Sequence, residues 1–372
     1  MIRYRRALCP AILASLAACG EPTSPSPAAP PAPQADLDDL AALGYAPQEL
    51  LLEEGPTGVV TFDESRAWHG LNLTTDERST CLALDMNGQR VHSWHVPVHD
   101  QVEHFALLDG GRVVTVSVDQ GVTLLERDST VVWQRALPAH HDVRPTSRGT
   151  FLVPLHDESP HAGRVVRFDQ VVELDGNGTE IWRWDSREHL DELAALHLPH
   201  PLAVPAASKT SKIFDYFHLN SVLELPDGNL LVCLRNVNLI AWLDRSTGRP
   251  LRGVGPGILD FPHDPTPLRA GGVLVFDNGY HRGHSRLVEL DAEGELAWSW
   301  EARPAEEFFS QVRGACQRLP NGNLLVTESQ RGRVFELDAE GEVVWDWRNP
   351  AAASEVRRVY RMRRVAASAL DR

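Results

Sequence analysis

A short sequence motif recurs six times between residues 80 and 350. It is an acidic or polar turn, usually containing Gly, followed by an apolar strand that usually ends in Trp. Repeats spaced by roughly 40–50 residues and made of strands are typical of β-propellers. A propeller brings the innermost strand of each blade to one central channel, so the repeat also predicts where functional residues converge. The six turns begin at Asp85, Arg127, Asp175, Asp244, Asp291 and Asp338.

A second sequence motif precedes each of these turns, and it consists of a strand, a Gly-containing turn and a run of Leu and Val. Leu225–Asn229 and Leu319–Asn323 are two such turns, and Asp-Gly and Asn-Gly suit tight hairpins because they tolerate positive φ. Two hairpins make four strands. We therefore predict an all-β fold, a six-bladed β-propeller with four-stranded antiparallel blades around a central channel. The predicted blades are approximately 57–100, 101–138, 139–186, 213–250, 258–300 and 309–347.

Residues 187–212 interrupt the repeat. They contain a helical stretch from Glu188 to Leu196 and a Pro-rich exit, and a loop of this length suits either a functional lid or a surface excursion. Near the end of the chain, Val356 to Val365 is very basic and alternates only loosely. It suits a membrane-facing patch or, as we prefer, a strand that completes a blade, because ring closure removes an open sheet edge.

The beginning of the chain resembles a targeting segment. Three Arg residues precede a short apolar run, and Leu16-Ala17-Ala18-Cys19 matches a bacterial lipobox, in which cleavage exposes Cys19 for lipidation. An ordinary secretory signal with an incidental Cys is the alternative. We predict a signal peptide over 1–18, a lipidated Cys19 with a Pro-rich linker over 19–50, and the propeller over 51–372. The protein is then expected in the cell envelope, anchored by lipid, with the outer membrane favoured because Gly20 follows the Cys.

Composition and cysteine usage narrow the function classes. The formal net charge is −15 and basic residues do not cluster in the repeats, so nucleic-acid binding is not expected. Three cysteines, Cys81, Cys233 and Cys316, are widely separated in apolar runs. This spacing indicates small buried core side chains rather than a zinc site. We find no metal-ligand spacing, nucleotide-binding loop or nucleophile elbow, so neither a metal nor a cofactor is predicted.

Several histidines fall on matching blade positions. His141 of blade three and His263 of blade five each open a His-Asp dipeptide, and Asn220 holds the equivalent position of blade four. His218 lies two residues before Asn220 and therefore on the same strand face. First strands line the channel, so these side chains are predicted to face one axial cavity. The pattern suits a functional site or a hydrogen-bonded polar plug.

A charged cluster follows the second strand of blade five. Asp277-Asn278-Gly279 is a turn signal, and just beyond it come His281, Arg282, His284 and Arg286. Guanidinium groups bind tetrahedral oxyanions by paired hydrogen bonds. Near His263 this cluster would form a site for a sulfate or phosphate ester, whereas the alternative is a solvated loop with incidental charges.

Taken in order, these motifs resemble the bacterial arylsulfate sulfotransferases and their arylsulfotransferase-like relatives. The resemblance covers roughly residues 57–365 and implies a six-bladed propeller that moves a sulfuryl group from a phenol ester to another phenol without a nucleotide donor. It also implies that an axial His is transiently sulfurylated while other histidines and an Arg stabilise the sulfuryl oxygens. The resembling segments are Asp215–Val222, Pro262–Asp264, Phe276–Gly279, Ser285–Leu290 and Gly314–Asn323.

The resemblance implies specific roles. His218 matches the His of an Asp-aromatic-x-His-x-Asn motif, His263 matches a later channel His, and Arg282 matches the sulfate-binding Arg. We expect these three to be catalytic and an aryl sulfate and a phenol to be the small-molecule partners. The residues expected to bind substrate are His141, Asn220 and Asn278.

The last blade departs from the family. The modified His of the family belongs after the strand corresponding to Leu324–Thr327, but this chain has Glu328-Ser329-Gln330-Arg331 there, and no His follows His284. Two functions therefore stay open: an arylsulfotransferase-like enzyme, or a non-catalytic envelope propeller that binds an anionic ligand or a protein. A quinone-dependent dehydrogenase propeller is a weaker third, because its tryptophan repeats and metal ligands are not found.

Overall fold

The strands of this chain form six sheets arranged as a six-bladed β-propeller. The computed structural model describes residues 55–76, 78–99, 101–161, 163–197, 213–350 and 358–371. The predicted fold class is thereby confirmed. The predicted signal peptide, the lipidation site at Cys19 and the Pro-rich linker lie outside the described residues, as does the Pro-rich exit of the insertion.

Each blade is a meander of consecutive strands, with additions at the two ends of the chain and in blade three. Strand β1 (Gly58–Phe62) belongs to the last blade. The strands that follow it in the first three blades are β2 (Leu71–Thr75), β3 (Thr80–Leu84), β4 (Arg90–His95), β5 (Val102–Leu107), β6 (Val113–Ser117), β7 (Gly121–Leu125), β8 (Val131–Arg135), β9 (Arg144–Pro145), β10 (Phe151–His161), β11 (Arg164–Leu174) and β12 (Glu180–Asp185). The remaining strands are β13 (Ile213–Asp215), β14 (Leu219–Glu224), β15 (Leu230–Leu234), β16 (Leu239–Leu243), β17 (Pro250–Val254), β18 (His263–Pro267), β19 (Val273–Asp277), β20 (Arg286–Leu290), β21 (Leu296–Trp300), β22 (Ala315–Arg318), β23 (Leu324–Glu328), β24 (Arg333–Leu337), β25 (Val343–Arg348) and β26 (Arg363–Val365).

Both ends of the described chain close the ring. The C-terminal strand β26 pairs with β2 and becomes the innermost strand of blade one, as the preferred interpretation of the basic segment predicted. The N-terminal strand β1 pairs with β25 as a fifth, outer strand of blade six. The sequence placed residues 57–62 in blade one, which is wrong, because blade one obtains its fourth strand from the C-terminus. Each end is thus hydrogen-bonded into the blade beside the junction.

The repeated turn and Trp link one blade to the next. In blade six, the Trp345 indole donates to the carbonyl of Met86 in blade one at 2.9 Å, and in blade one the Trp94 indole donates to the carbonyl of Gly111 in blade two at 2.9 Å. Apolar side chains fill the spaces between the blades in six buried clusters, one at each junction. The repeat is therefore explained by packing between blades.

The insertion after blade three begins with a helix, as predicted. Asp185 caps a short 3₁₀ turn by accepting from the Arg187 backbone N–H at 2.9 Å, and α1 (Leu190–His197) follows. Leu193 is fully buried among residues of blades three and four, so the helix packs over the junction between these two blades. No helix in the part of the chain that the structure describes is long and apolar enough to cross a membrane.

Candidate axial oxyanion site

Three histidines meet where the chain enters the innermost strands of blades three, four and five. We call His141, His218 and His263 the axial histidines, and all three are buried. The rings of His141 and His218 are 4.9 Å apart between centroids. Both residues have positive φ (61° and 54°), a conformation that costs energy for a non-glycine residue and is often found at functional sites. Burial, followed by neighbouring groups that include His218 and His263, holds the pKa of His141 well below its usual range.

The hydrogen bonds of His218 define its tautomer. Its Nδ1 lies 2.6 Å from Oδ2 of Asp215, which ends β13. A carboxylate accepts, so Nδ1 carries the proton and Nε2 keeps its lone pair. Burial lowers the pKa of His218, and the ring is therefore neutral near pH 7. Such a ring has a nucleophilic nitrogen together with an anion placed to stabilise a positive charge on it.

His263 has the same tautomer for a different reason. Its Nδ1 lies 2.8 Å from Oδ1 of Asn278. The Asn278 amide nitrogen donates to the carbonyls of Ser310 and Arg313, both at 2.7 Å, so its oxygen must be the acceptor. Burial, followed by the charge of Arg235, holds the pKa of His263 well below its usual range. Asn278, predicted to bind substrate, is here a residue that orients the ring.

Arg235 is a buried cation in this region with hydrogen-bond donors that are unpaired within the described part of the chain, and the sequence-based prediction did not include it. It follows β15, and its side chain is fully buried with the guanidinium 4.4 Å from the centre of the Phe261 ring. Nη1 donates weakly to Asn236 at 3.3 Å, while Nε and Nη2 have no hydrogen-bond partner among the described residues. Burial lowers its pKa to about 10, which leaves it charged at neutral pH. Unsatisfied buried donors on a cation are costly unless an anion or water binds them.

A signal for Arg235 was present in the blade alignment. Arg235 is the residue directly after the second strand of blade four, the position that Asn278 holds in blade five and Ser329 in blade six. Second strands lie next to the innermost ones, and their ends reach the same face of the ring. The sequence-based alignment of the blades placed only first-strand residues at the axis, and Arg235 follows a second strand.

Arg282 has other contacts than the resemblance implied. Its Nη2 lies 3.1 Å from the Asp277 carboxylate, which is fully buried and also binds Arg286 at 2.7 Å. Its hydrogen bonds therefore go to Asp277 rather than to an axial histidine, although its Nε has no partner among the described residues. The rest of the predicted charged cluster likewise has acidic neighbours: His281 binds Asp260 at 2.8 Å.

Asn220 joins blades four and five beside the axial histidines. Its amide nitrogen donates to the carbonyl of Pro262 at 2.9 Å, directly before His263. The side chain is fully buried, and its Oδ1 has no hydrogen-bond partner within the described part of the chain. Asn220 thus positions the entry to β18 and keeps one acceptor unused.

The last-blade stretch Glu328–Arg331, where the resemblance implies a His, supports neighbouring loops instead. Glu328 accepts from the Phe309 backbone N–H at 2.9 Å, Gln330 accepts from the backbone of Gln311, and Ser329 donates to the carbonyl of Val359 at 2.5 Å. The segment held by Ser329 carries Tyr360, which is buried. The Tyr360 ring lies 6.2 Å from that of His141 and 4.7 Å from the Arg313 guanidinium. The C-terminal segment therefore borders the axial histidines on the blade-six side.

Comparison with known proteins identifies a family. The family model described as arylsulfotransferase (ASST) matches residues 104–350, which is more than half of the chain. A solved protein of unknown function from Bacteroides caccae is similar in fold, with a TM-score of 0.55 and 16% identity over 80% of this chain and 99% of its own. A streptogramin B lyase structure has a TM-score of 0.49 and 13% identity over 85% of this chain and 95% of its own. No protein in the curated collection matches this chain significantly.

Proposed function

We propose that this chain, which belongs to the arylsulfotransferase (ASST) family, binds an aryl sulfate at the axial site and transfers its sulfuryl group to a phenol without a nucleotide donor. The observation that carries the proposal is the buried Arg235, whose Nε and Nη2 have no partner among the described residues. Two parallel N–H groups of a guanidinium match two oxygens of a tetrahedral oxyanion. A sulfuryl group held there would lie beside neutral imidazoles.

The tautomers suit a two-step transfer. In the first step, Nε2 of His218 attacks sulfur, an N–S bond forms, and the S–O bond to the aryl group breaks with the electron pair leaving on the phenolate. The positive charge on the ring is stabilised by Asp215, 2.6 Å from Nδ1. In the second step, the acceptor phenol attacks sulfur while Nε2 of His263 takes its proton, and the N–S electron pair returns to His218. Arg235 would stabilise the sulfuryl oxygens in both steps.

The test separates binding from turnover. Wild type and Arg235→Gln are titrated with 4-nitrophenyl sulfate by calorimetry, and nitrophenol release is followed with and without an acceptor phenol. Loss of a charge-assisted pair of hydrogen bonds predicts roughly tenfold to hundredfold weaker binding for the variant. Arg249→Gln is the matched control, because Arg249 is an exposed arginine of the same blade, paired with Glu192 at 3.0 Å. Equal affinity for wild type and Arg235→Gln would refute the oxyanion assignment.

Arg282→Gln tests the position that the resemblance implies. If it weakens 4-nitrophenyl sulfate binding and Arg235→Gln does not, the oxyanion is bound by the loop after β19 rather than by the turn after β15. If neither variant changes binding, the axial site does not take sulfate esters. The two guanidinium groups are thus distinguished by one pair of titrations.

A second candidate is a non-catalytic propeller that binds an anionic ligand. The absence of any His after His284 favours it, since the family's modified residue is then missing. Binding of 4-nitrophenyl sulfate that depends on Arg235, without nitrophenol release in the presence of any phenol, would support this candidate over the transferase.

The lipobox supports a proposal on location: the protein is an envelope lipoprotein attached through Cys19. Cells expressing wild type and Cys19→Ala are grown with a clickable fatty acid, and only the wild type is expected to become labelled. Equal labelling of both, or of neither, would contradict the anchor.

A further inference from the structure

A cavity lies on the propeller axis, away from the axial histidines. Its volume is about 530 Å³, and innermost strands of all six blades contribute to its lining. We call it the axial cup. Lining residues that matter below are Leu73, Phe105, Ala106, Arg144, Leu223 and Arg363.

Strand direction places the axial cup at the opposite end of the inner strands from the histidines. In β18, His263 begins the strand, Asp264 follows, and Pro265 and Thr266 line the cup. At about 3.3 Å per residue, the first cup-lining residue of β18, Pro265, lies roughly 7 Å along the strand from His263. The chain around β9 has the same order, with His141 first and Arg144 in the lining. The axis is therefore layered: histidines, then aspartates, then the cup.

A buried ionic layer forms the floor of the cup. Asp142 binds Arg144 at 2.9 Å and Arg361 at 2.8 Å, while Asp264 binds Arg144 at 3.0 Å and also Arg363. Burial opposes the charge of Asp142, but Arg144 and Arg361 outweigh it and lower the pKa of that carboxyl. Three arginines against two aspartates leave the layer with one excess positive charge.

Arg363 carries part of this charge, lines the cup and, among the described residues, has an unpaired donor. Its Nη1 donates to the carbonyl of Cys316 at 3.3 Å and its Nη2 binds Asp264, but its Nε is buried without a partner in the described part of the chain. Two other titratable groups line the cup. Burial, followed by Arg361, holds the pKa of His104 well below its usual range, so it is neutral. Glu224 accepts from the Ser147 backbone N–H at 2.7 Å and lies 3.5 Å from Arg148, which offsets its charge.

We propose that the axial cup binds a small amphipathic monoanion, with its carboxylate on Arg363 and Arg144 and its apolar body against Leu73, Phe105 and Leu223. The charge of the floor selects an anion, and the apolar wall selects a hydrocarbon chain or ring over a sugar or nucleotide. A cavity of about 530 Å³ lies within the usual range for sites that hold small molecules. The site is separate from the sulfuryl chemistry and does not depend on it.

Titration calorimetry with decanoate tests the proposal, with decanol and decylammonium as probes of matched chain length. One decanoate is expected to bind per chain, at least tenfold more tightly than decanol, because a buried charge-assisted hydrogen bond discriminates by about that factor or more. Decylammonium is expected not to bind. Equal affinities of decanoate and decanol, or no decanoate binding below its micelle concentration, would overturn the proposal.

Three variants locate the bound molecule. Arg363→Gln is expected to reduce the affinity for decanoate at least tenfold, and Ala106→Phe, which fills the cup without removing a charge, is expected to abolish binding. Arg235→Gln removes the guanidinium beside the axial histidines and is expected to leave the affinity unchanged. If Arg235→Gln weakens binding and Ala106→Phe does not, decanoate occupies the histidine site and the proposal is wrong. If Arg363→Gln fails to fold, Ala106→Phe and Arg235→Gln together still decide the question.

Discussion

A buried ion pair between Arg364 in β26 and Glu336 in β24 lies at the closure of the ring. Both side chains are fully excluded from solvent. Arg364 also donates to Asn72 at 2.7 Å and to the carbonyl of Trp68 at 3.0 Å, and its guanidinium lies 4.4 Å from the centre of the Trp345 ring. Burial lowers its pKa to about 10, so it is charged at pH 7. Three elements at the junction of blades six and one are therefore joined by this side chain.

Arg364→Met should be strongly destabilising. It leaves the Glu336 carboxylate buried without its cation, which typically costs about 3–5 kcal/mol. For a domain of this size, each kcal/mol corresponds to a change in Tm of roughly 2 °C, so we expect Tm to fall by ~5–10 °C. Thermal unfolding and urea unfolding followed by tryptophan fluorescence measure the effect.

The double variant Arg364→Met, Glu336→Gln tests the cause. The introduced glutamine amide keeps an oxygen for the Trp68 backbone N–H and the Asn323 amide, which bind Glu336 at 2.8 and 2.7 Å, but removes the stranded charge. The double variant should therefore be more stable than Arg364→Met alone. A single variant within about 1 kcal/mol of wild type, or a double variant less stable than the single one, would refute the reasoning.

Three further outcomes are expected. Asp215→Asn should lower the rate of any sulfuryl transfer by about 10²–10⁴-fold with little effect on Tm, because His218 then loses both its tautomer and its counter-charge. Rates within tenfold of wild type would exclude a role of Asp215 in orienting and stabilising His218. The axial histidines are buried and their pKa values are lowered. Their contribution to the free energy of unfolding is therefore present above about pH 6.5 and lost as pH falls, because the unfolded chain takes up protons that the folded chain does not. Urea unfolding at pH 7.5 and 5.5 checks the sign. The thiols of Cys81, Cys233 and Cys316 are buried with raised pKa values and should react with a thiol reagent only in denaturant, so modification in the native state would contradict their burial.

The repeat predicted the number of blades because it reflects contacts between blades that recur. It identified the strands that contain the bridging tryptophans but not always the residue that bridges. In blade three the strand after the turn contains both Trp182 and Trp184, and it is Trp184 that donates to the carbonyl of Gly248 in the next blade at 2.9 Å. Trp182 instead lies 4.4 Å from the Arg245 guanidinium. Two residues on one strand face differ in how far they lie from the axis, and a sequence pattern carries no information on that distance.

The site was predictable in part for a related reason. His141 and His263 share a blade position, so alignment of the repeats brings them together. Arg235 shares its position with residues of different chemistry, among them Asn278 and Ser329, so no repeated letter marks it. Arg282 was assigned by its place in a motif, but in the fold its guanidinium binds the buried carboxylate of Asp277. Pairing with a buried carboxylate therefore decides which arginine stays available for a ligand.

Ring closure and the axial site share one network. The His-Asp dipeptides of blades three and five direct the histidines to the oxyanion site and the aspartates to the ionic layer. There Asp142 binds Arg361, and Asp264 binds Arg363. These arginines belong to the closing C-terminal segment, whose Tyr360 borders His141. The stretch after β23 that lacks the family's His holds the same segment through Ser329. Closure of the propeller therefore completes the wall of the site, and any activity should require the C-terminal segment to be in place.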